Sequence, residues 1–438
     1  MSLGAWLPSC AEVVGVTPWP DGSGGATSLS SSTSTGGGGG SGAVGGEVAT
    51  GSCSDARLVV DDFTVDSGAW QLVENDELVQ VALGGGEARV SFSVGSSSAG
   101  RFKTWDAYNL TGSSVAVNVS QALAPDSKAT PVLRLMDPAG TEAEARISVA
   151  GPFLLAQVVD GTGEVTTTAG SKNYVPEEDA RWHIYEEDGT LFFETSTDSG
   201  RFQPLGQVAT SHASPLEFVR VELAGEPNDE PGAGYVAFTQ LNVDRPAGTW
   251  CTADSLRDDF SGTTARSIWS STGSNECLVS QDDELIILPM PDVGTDCGYM
   301  SWIGHRLTEA GVRVRASIES PESPSYAALH LIKDSTHQLI MEVWQEQLRV
   351  VVSNGGDFVD LAVGGYQPDA HAFWRIRTDG TDVLWETSAN GVDFDVLHTE
   401  PVPFELTGLQ IALLGGTSAP VSRQTQIRFD DLNLAPGD

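Results

Sequence analysis

The side chains best placed to do chemistry alternate along short apolar segments in the C-terminal half of the chain. In Gly-Val-Arg-Val-Arg-Ala-Ser-Ile-Glu, residues 311–319, Val312, Val314, Ala316 and Ile318 alternate with Arg313, Arg315, Ser317 and Glu319. That two-residue period is a strand with one face inward and one outward. Nearby segments add His330, Glu342, Trp344, Arg375, Arg377 and Glu386. Guanidinium forks and carboxylates bond hydroxyls and acidic groups in fixed geometry, and indole faces stack on sugar rings. The combination predicts a face that recognises a glycan. The competing reading is a solvated face of mixed charge, with Glu386 paired to an arginine of a neighbouring strand and fixing register. Corresponding positions earlier in the chain are blander, with Ala116 and Asn118 for the first two arginines and His183 and Tyr185 for the last two. No H-E-x-x-H, G-x-S-x-G or phosphate-loop pattern occurs, and the seven histidines lack metal-ligand spacing.

Composition narrows the partners. Of 438 residues, 60 are acidic and 23 basic, a net charge of −37. Such a chain repels phosphate backbones, so nucleic acid is excluded as a partner. No run approaches the roughly 20 apolar residues of a membrane helix. The five cysteines (Cys10, Cys53, Cys251, Cys277, Cys297) show no C-x-x-C spacing, which argues against zinc. Leu-Pro-Ser-Cys10 after a short apolar run resembles a bacterial lipobox, which implies lipidation of Cys10 and an exported, surface-anchored or secreted protein. The alternative is a free thiol in an N-terminal tail. Residues 21–52 are almost entirely Gly, Ser, Thr and Ala, the composition of a flexible stalk.

Beyond the stalk the chain repeats itself. Asp61-Asp62-Phe63 returns as Asp258-Asp259-Phe260, Trp70 as Trp269, and Trp105 as Trp302. Arg181-Trp182 to Phe202 returns as Phe373-Trp374 to Phe394, each with Glu-Thr-Ser twelve residues after the Trp. The matches predict residues 1–56 as start and stalk, domains at 57–246 and 254–438, and a linker at 247–253. Within each copy, short alternating segments separated by Asp-Gly, Asn-Gly and Pro-Ala-Gly turns predict antiparallel strands and no helix of useful length. Strands in that number predict an all-β fold of two tandem sandwiches.

The order of Asp-Asp-Phe, the Trp strand, the Glu-Thr-Ser hairpin and a closing Phe-Asp-Asp-Leu strand resembles concanavalin A-like lectin/glucanase jelly rolls, nearest to laminin G-like domains. The resemblance covers both copies. It implies adjacent first and last strands, and hence a Cys53–Cys251 bridge; Cys277 and Cys297 pair as a staple across a loop of the second copy. It implies that Asp258, Asp259, Asp430 and Asp431 gather where calcium could bind as a structural ion, no other cofactor being required. Glucanases of this fold carry E-x-D-x-x-E on one strand; neither copy has it. The expected function is non-catalytic glycan binding at the cell envelope, with polysaccharide or glycoconjugate as partner. The alternatives are a structural or adhesive protein that binds an envelope protein, and a glycoside hydrolase with an unrecognised carboxylate pair.

Overall fold

A computed structural model describes residues 53–435, apart from 75–76, 124–128, 139–142, 161–163, 199, 211–217, 228–232, 244–247, 264, 267, 274–276, 290–294, 320–324 and 420–424. Cys10 and the stalk lie outside the described residues. The structure is all-β, built from two sandwiches in succession.

Sheet 1 runs Trp70–Glu74, Gly100–Thr104, Phe218–Pro227, Ala129–Met136, Glu144–Ala150, Phe153–Val159, Val165–Asn173, with Tyr108–Asn109 beside Phe218–Pro227. Sheet 2 runs Gln203–Ala209, Thr190–Ser196, Arg181–Glu187, Ser114–Leu123, Gly234–Thr239, Glu87–Phe92, Val79–Gly84. Sheet 3 runs Trp269–Gly273, Thr295–Ser301, Gln410–Thr417, Ser325–Asp334, His337–Trp344, Gln347–Asn354, Asp357–Gly365. Sheet 4 runs Cys277–Gln281, Leu285–Pro289, Ile427–Asp430, Val312–Ile318, Phe373–Thr378, Asp382–Ser388, Asp395–Pro401. Each sheet combines strands consecutive in sequence with neighbours distant in sequence, and all pairings within these four sheets are antiparallel. Alternation does the sorting: Leu133 and Leu135 join one core while Arg134 faces out, and Val312 and Val314 join the other while Arg313 faces out. Trp182 and Trp374 are fully buried core anchors, and each indole N–H donates to a carbonyl three residues back, of Asp179 and His371.

Both sandwiches are closed by the same buried clasp. Asp61 Oδ1 accepts from Phe63 N (2.7 Å) and its Oδ2 from Trp70 Nε1 (2.8 Å). Asp258 does the same with Phe260 N (2.8 Å) and Trp269 Nε1 (2.7 Å). The backbones of these aspartates pair with the end of the sandwich, Asp61 with Leu241 and Asp258 with Leu432. One residue on, Asn242 and Asn433 accept from the N–H of Ala116 and Arg313. Each donates its side-chain amide to two carbonyls near the start of its sandwich: Ala56 and Val59, or Ala253 and Leu256. Phe63, Phe260, Asn242 and Asn433 all have φ between 50° and 56°. The clasp holds these non-glycine residues in the left-handed region, at a conformational cost.

Cys53 is bonded to Cys251, joining the two ends of the first sandwich, and Cys277 to Cys297, joining sheet 4 to sheet 3. The residues around 250 are tied into the fold. Cys251–Thr252 pairs in parallel with His305–Arg306, and Trp250 packs over Gly304 and Gly408 beside Tyr108. Ala107 bridges Ile303, Ser54 Oγ donates to Gly304 O (2.7 Å), and Arg220 lies over Trp302. Asp106 is half-buried near Arg220, Lys333 and Asp334; desolvation pushes its carboxyl up to about 7 against the pull of Arg220. The two sandwiches therefore share a continuous, partly polar interface.

The far ends of the sandwiches differ. In the first, Val165–Asn173 and Gln203–Ala209 touch through Gly170 and Gly206; a Cβ on Gly170 would lie 1.8 Å from Leu205 O. In the second, a cleft of about 130 Å³ opens between Val350, Val363 and Leu397.

Replacing Asp258 with Ala leaves the Phe260 amide and the Trp269 indole without their acceptor in a buried place. The expected loss is about 2–4 kcal/mol of stability for the second sandwich, read by urea unfolding followed by tryptophan fluorescence. A change below about 0.5 kcal/mol would contradict the clasp.

Candidate functional site

Sheet 4 presents the arginines together. Val312–Ile318 lies between Phe373–Thr378 and Ile427–Asp430, with Arg313 opposite Arg375 and Arg315 opposite Asp430. Next, Phe373–Thr378 pairs with Asp382–Ser388, with Arg375 opposite Glu386. Glu386 faces outward, yet its side chain is only 3 % exposed because Arg375 and Arg377 cover it. Arg375 Nε donates to Glu386 Oε2 (2.5 Å), and Arg377 Nη2 donates to Oε1 (3.0 Å). The hydrogen bonds that Arg377 donates to Glu386 are the main cause holding its guanidinium above its usual range. Arg375 also lies 3.9 Å over the Phe394 ring. Arg313 donates to the carbonyls of Gly391 and Leu434. Beside this fork is a depression of about 180 Å³ lined by Arg257, Arg313 and Arg375 with Asp254, Gly311 and Asn433.

The arrangement alters several expectations. Glu386 is occupied by two arginines, so it positions them and is not a free acceptor for sugar hydroxyls. Glu342, Trp344 and His330 belong to sheet 3, on the opposite side of the sandwich from Arg313, Arg315, Arg375 and Arg377. Glu342 is paired with Arg349 (3.2 Å), and the same guanidinium covers the Trp344 ring at 4.7 Å. Burial raises the Glu342 carboxyl, partly offset by Arg349. His330 is 6 % exposed, and burial lowers its imidazole to about 4, offset in part by a hydrogen bond with Gln338. It is a neutral packed side chain and does not line the arginine face.

The expected calcium ligands also separate. Asp258 turns inward onto Trp269, and Asp259 accepts from Ser261 N. Asp430 accepts from Asp431 N and lies 3.7 Å from Arg315; burial pushes its carboxyl up to about 6. Among the described residues no three His, Cys, Asp or Glu side chains are arranged to hold a metal ion.

Two outward clusters in the first sandwich were not singled out from sequence. On sheet 1, Arg134 reaches Glu222 (2.5 Å), Glu226 and Glu144 (3.2 Å). Burial alone would lower the Arg134 guanidinium, but these three carboxylates hold it well above its usual range. The signal was Glu-Leu-Ala-Gly-Glu, 222–226, which places both glutamates on one face of a strand. On sheet 2, Tyr185 stacks on Phe192 (4.7 Å) and on His183 (4.8 Å). These rings turn their faces to one another, so they support pairing across the strands and offer no flat platform for a sugar.

No protein-family model matches the chain, and no curated protein matches it. Among solved structures, it is similar to a laminarinase (endo-1,3-beta-glucanase) catalytic domain from Thermotoga petrophila, at 10 % identity over 40 % of this chain and 94 % of that one, TM-score 0.32. It is similar to the Crh5 transglycosylase, at 14 % identity over 43 % and 85 %, TM-score 0.33. It is also similar to the GH43 protein BlXynB from Bacillus licheniformis, at 11 % identity over 83 % and 84 %, TM-score 0.36. Likenesses this weak carry no argument about activity.

Replacing Glu386 with Gln removes the shared counter-charge of Arg375 and Arg377. With both arginines about a quarter exposed, the expected loss is about 2 kcal/mol, below the 3–5 of a fully buried pair, measured by chemical denaturation; an unchanged midpoint would contradict the role of Glu386. The histidines set a pH limit. His330 and His305 have folded values of about 4, against about 6.5 unfolded. The unfolded chain takes up the protons first, so their contribution is intact above pH 6.5 and is lost as pH falls toward 4, by up to about 3 kcal/mol each. The variant His330→Gln should show a shallower fall of stability between pH 6.5 and 4. An identical slope would contradict a neutral buried His330.

Proposed function

We propose that the protein is exported and recognises glycan without turning it over, through the outward face of sheet 4 in the second sandwich. One observation carries the reading: Glu386 fixes Arg375 and Arg377 beside a solvent-open depression that Arg313 and Arg257 also line. Side chains locked by packing and ion pairs lose little freedom on meeting a polar ligand, which favours recognition over a merely solvated surface. Two disulfides support an oxidising compartment. Lipidation of Cys10 ahead of a Gly/Ser stalk would hold the sandwiches at the envelope, and that is part of the proposal.

A second reading, glycoside hydrolysis, has one observation in its favour: Glu222 and Glu226 share a face of Phe218–Pro227. Against it stands Arg134, which bonds both, where a glycosidase needs one carboxyl free to protonate the leaving group.

The full chain on a glycan array should retain specific sugars, with binding at least tenfold weaker in the Arg313→Ala/Arg315→Ala variant. A blank array from folded protein, or binding that the variant leaves untouched, would remove the reading. Release of reducing ends from a bound polysaccharide, abolished by Glu222→Gln, would replace it with hydrolysis.

A further inference from the structure

We infer that the open end of the second sandwich docks an extended segment of another polypeptide, one with apolar side chains at alternate positions and lysine or arginine between them. The site does not use the arginine face of sheet 4, and the inference stands or falls apart from the glycan reading.

The first ground is a difference between equivalent ends. In the first sandwich, sheet 1 ends on Val165–Asn173 and sheet 2 on Gln203–Ala209. These strands meet at Gly170 and Gly206, where a Cβ on Gly206 would lie 2.4 Å from Ala169 O. That end is closed on itself. Its last strand in sheet 1, Val-Thr-Thr-Thr-Ala-Gly-Ser-Lys-Asn, is mostly polar and carries Lys172. In the second sandwich the same places are taken by Asp357–Gly365 and Asp395–Pro401. Val359, Val363 and Val396 are 51 %, 52 % and 51 % exposed, and Phe358 and Leu397 37 % each. Sheets guard a free edge with lysine, proline or a bulge. Asp357–Gly365 has a bulge at Leu361, but from there to Gly365 it carries no charge and no proline.

The second ground is shape. The cleft of about 130 Å³ lies along this edge, lined by residues 362–365 with Leu348, Val350, His371 and Leu397. It has room for about one large apolar side chain. A Cβ on Gly364 or Gly365 would meet nothing within 4 Å, so another backbone has space to approach. Among the described residues no strand lies beyond Asp357–Gly365 in sheet 3. An added strand would bond its backbone to that edge and turn every second side chain toward the cleft.

The third ground is charge. On the four strands that border this end, the basic side chains are Arg349 and His398. Arg349 is paired with Glu342 and Asp360, and His398 with Glu400. Asp357, Asp369 and Asp395 are exposed and form no ion pair among the described residues. An apolar cleft rimmed by unpaired carboxylates fits a partner with cations beside its apolar residues. A second copy would bring the same carboxylates and another net charge of −37, which opposes self-pairing.

The test uses the full chain and three labelled heptapeptides, followed by fluorescence anisotropy at low and high salt. Lys-Val-Lys-Leu-Lys-Val-Lys should bind at least tenfold tighter than Glu-Val-Glu-Leu-Glu-Val-Glu. It should exceed Lys-Val-Lys-Pro-Lys-Val-Lys by as much, since the proline removes a strand N–H and keeps the charge. Val363→Lys, an exposed change that should leave the unfolding midpoint in place, should weaken binding at least fivefold. Thr168→Lys, on the matching edge of the first sandwich, should leave it unchanged. Equal binding of the proline peptide, or an equal loss in the two variants, would show attraction by charge alone and overturn the inference. Absence of binding by the first peptide would overturn it as well. Self-association of the full chain that Val363→Lys abolishes, read by sedimentation, would give the edge to a second copy instead. Glycan binding that Val363→Lys abolishes would assign the cleft to sugar.

Discussion

The structure depends on a carboxylate buried at the start of each sandwich. Asp61 and Asp258 each accept from a backbone N–H two residues on and from an indole further along the chain. Each also pairs through its backbone with the closing strand region. A buried carboxylate is costly unless its lone pairs are met, so the aspartate enforces one location for the Trp and one path for the chain. The asparagine after the closing bridge completes the lock, joining the last strand region, the start of the sandwich and a central strand of sheet 2 or sheet 4. In the second sandwich that central strand carries Arg313, whose backbone N–H bonds Asn433. The constraint that closes the sandwich is therefore one bond away from the face proposed to bind ligand.

The same frame carries different surfaces. Sheet 2 has stacked rings where sheet 4 has an arginine fork, and sheet 1 has Arg134 with three glutamates where sheet 3 has a neutral His330. Core positions are governed by volume and by the clasp. Outward positions are limited only by pairing with their neighbours, and they are where one sandwich can acquire a function the other lacks. The parallel bridges and the packing of Trp250 join the two sandwiches.

Much of the frame could be read from sequence because strand alternation and turn residues are local. Val312, Val314, Trp374 and Trp385 announce their inward face by period alone, and the structure buries all four. The outward faces were harder. Arg375 and Glu386 can be placed opposite one another once a hairpin is recognised. That Glu342 and Trp344 lie on the other sheet depends on which strands cross the sandwich, and no local pattern records it. Asp258 and Asp259 were visible as paired carboxylates and suggested a cation. The indole partner lies eleven residues from Asp258, and only the folded chain shows that Trp269 meets it. Glu222 and Glu226 were overlooked because Ala224 stands between them, so they match no known catalytic spacing; their meeting with Arg134 comes from a strand far away in sequence.

The most direct test of the central claim is a crystal structure of the full chain with a glycan that the array shows it to retain. The ligand should occupy the depression between Arg257, Arg313 and Arg375, with polar groups within hydrogen-bonding distance of at least two guanidinium groups and Glu386 still bonded to Arg375 and Arg377. Ligand density over Arg134 and Glu222 of the first sandwich, with the sheet 4 face bare, would contradict it.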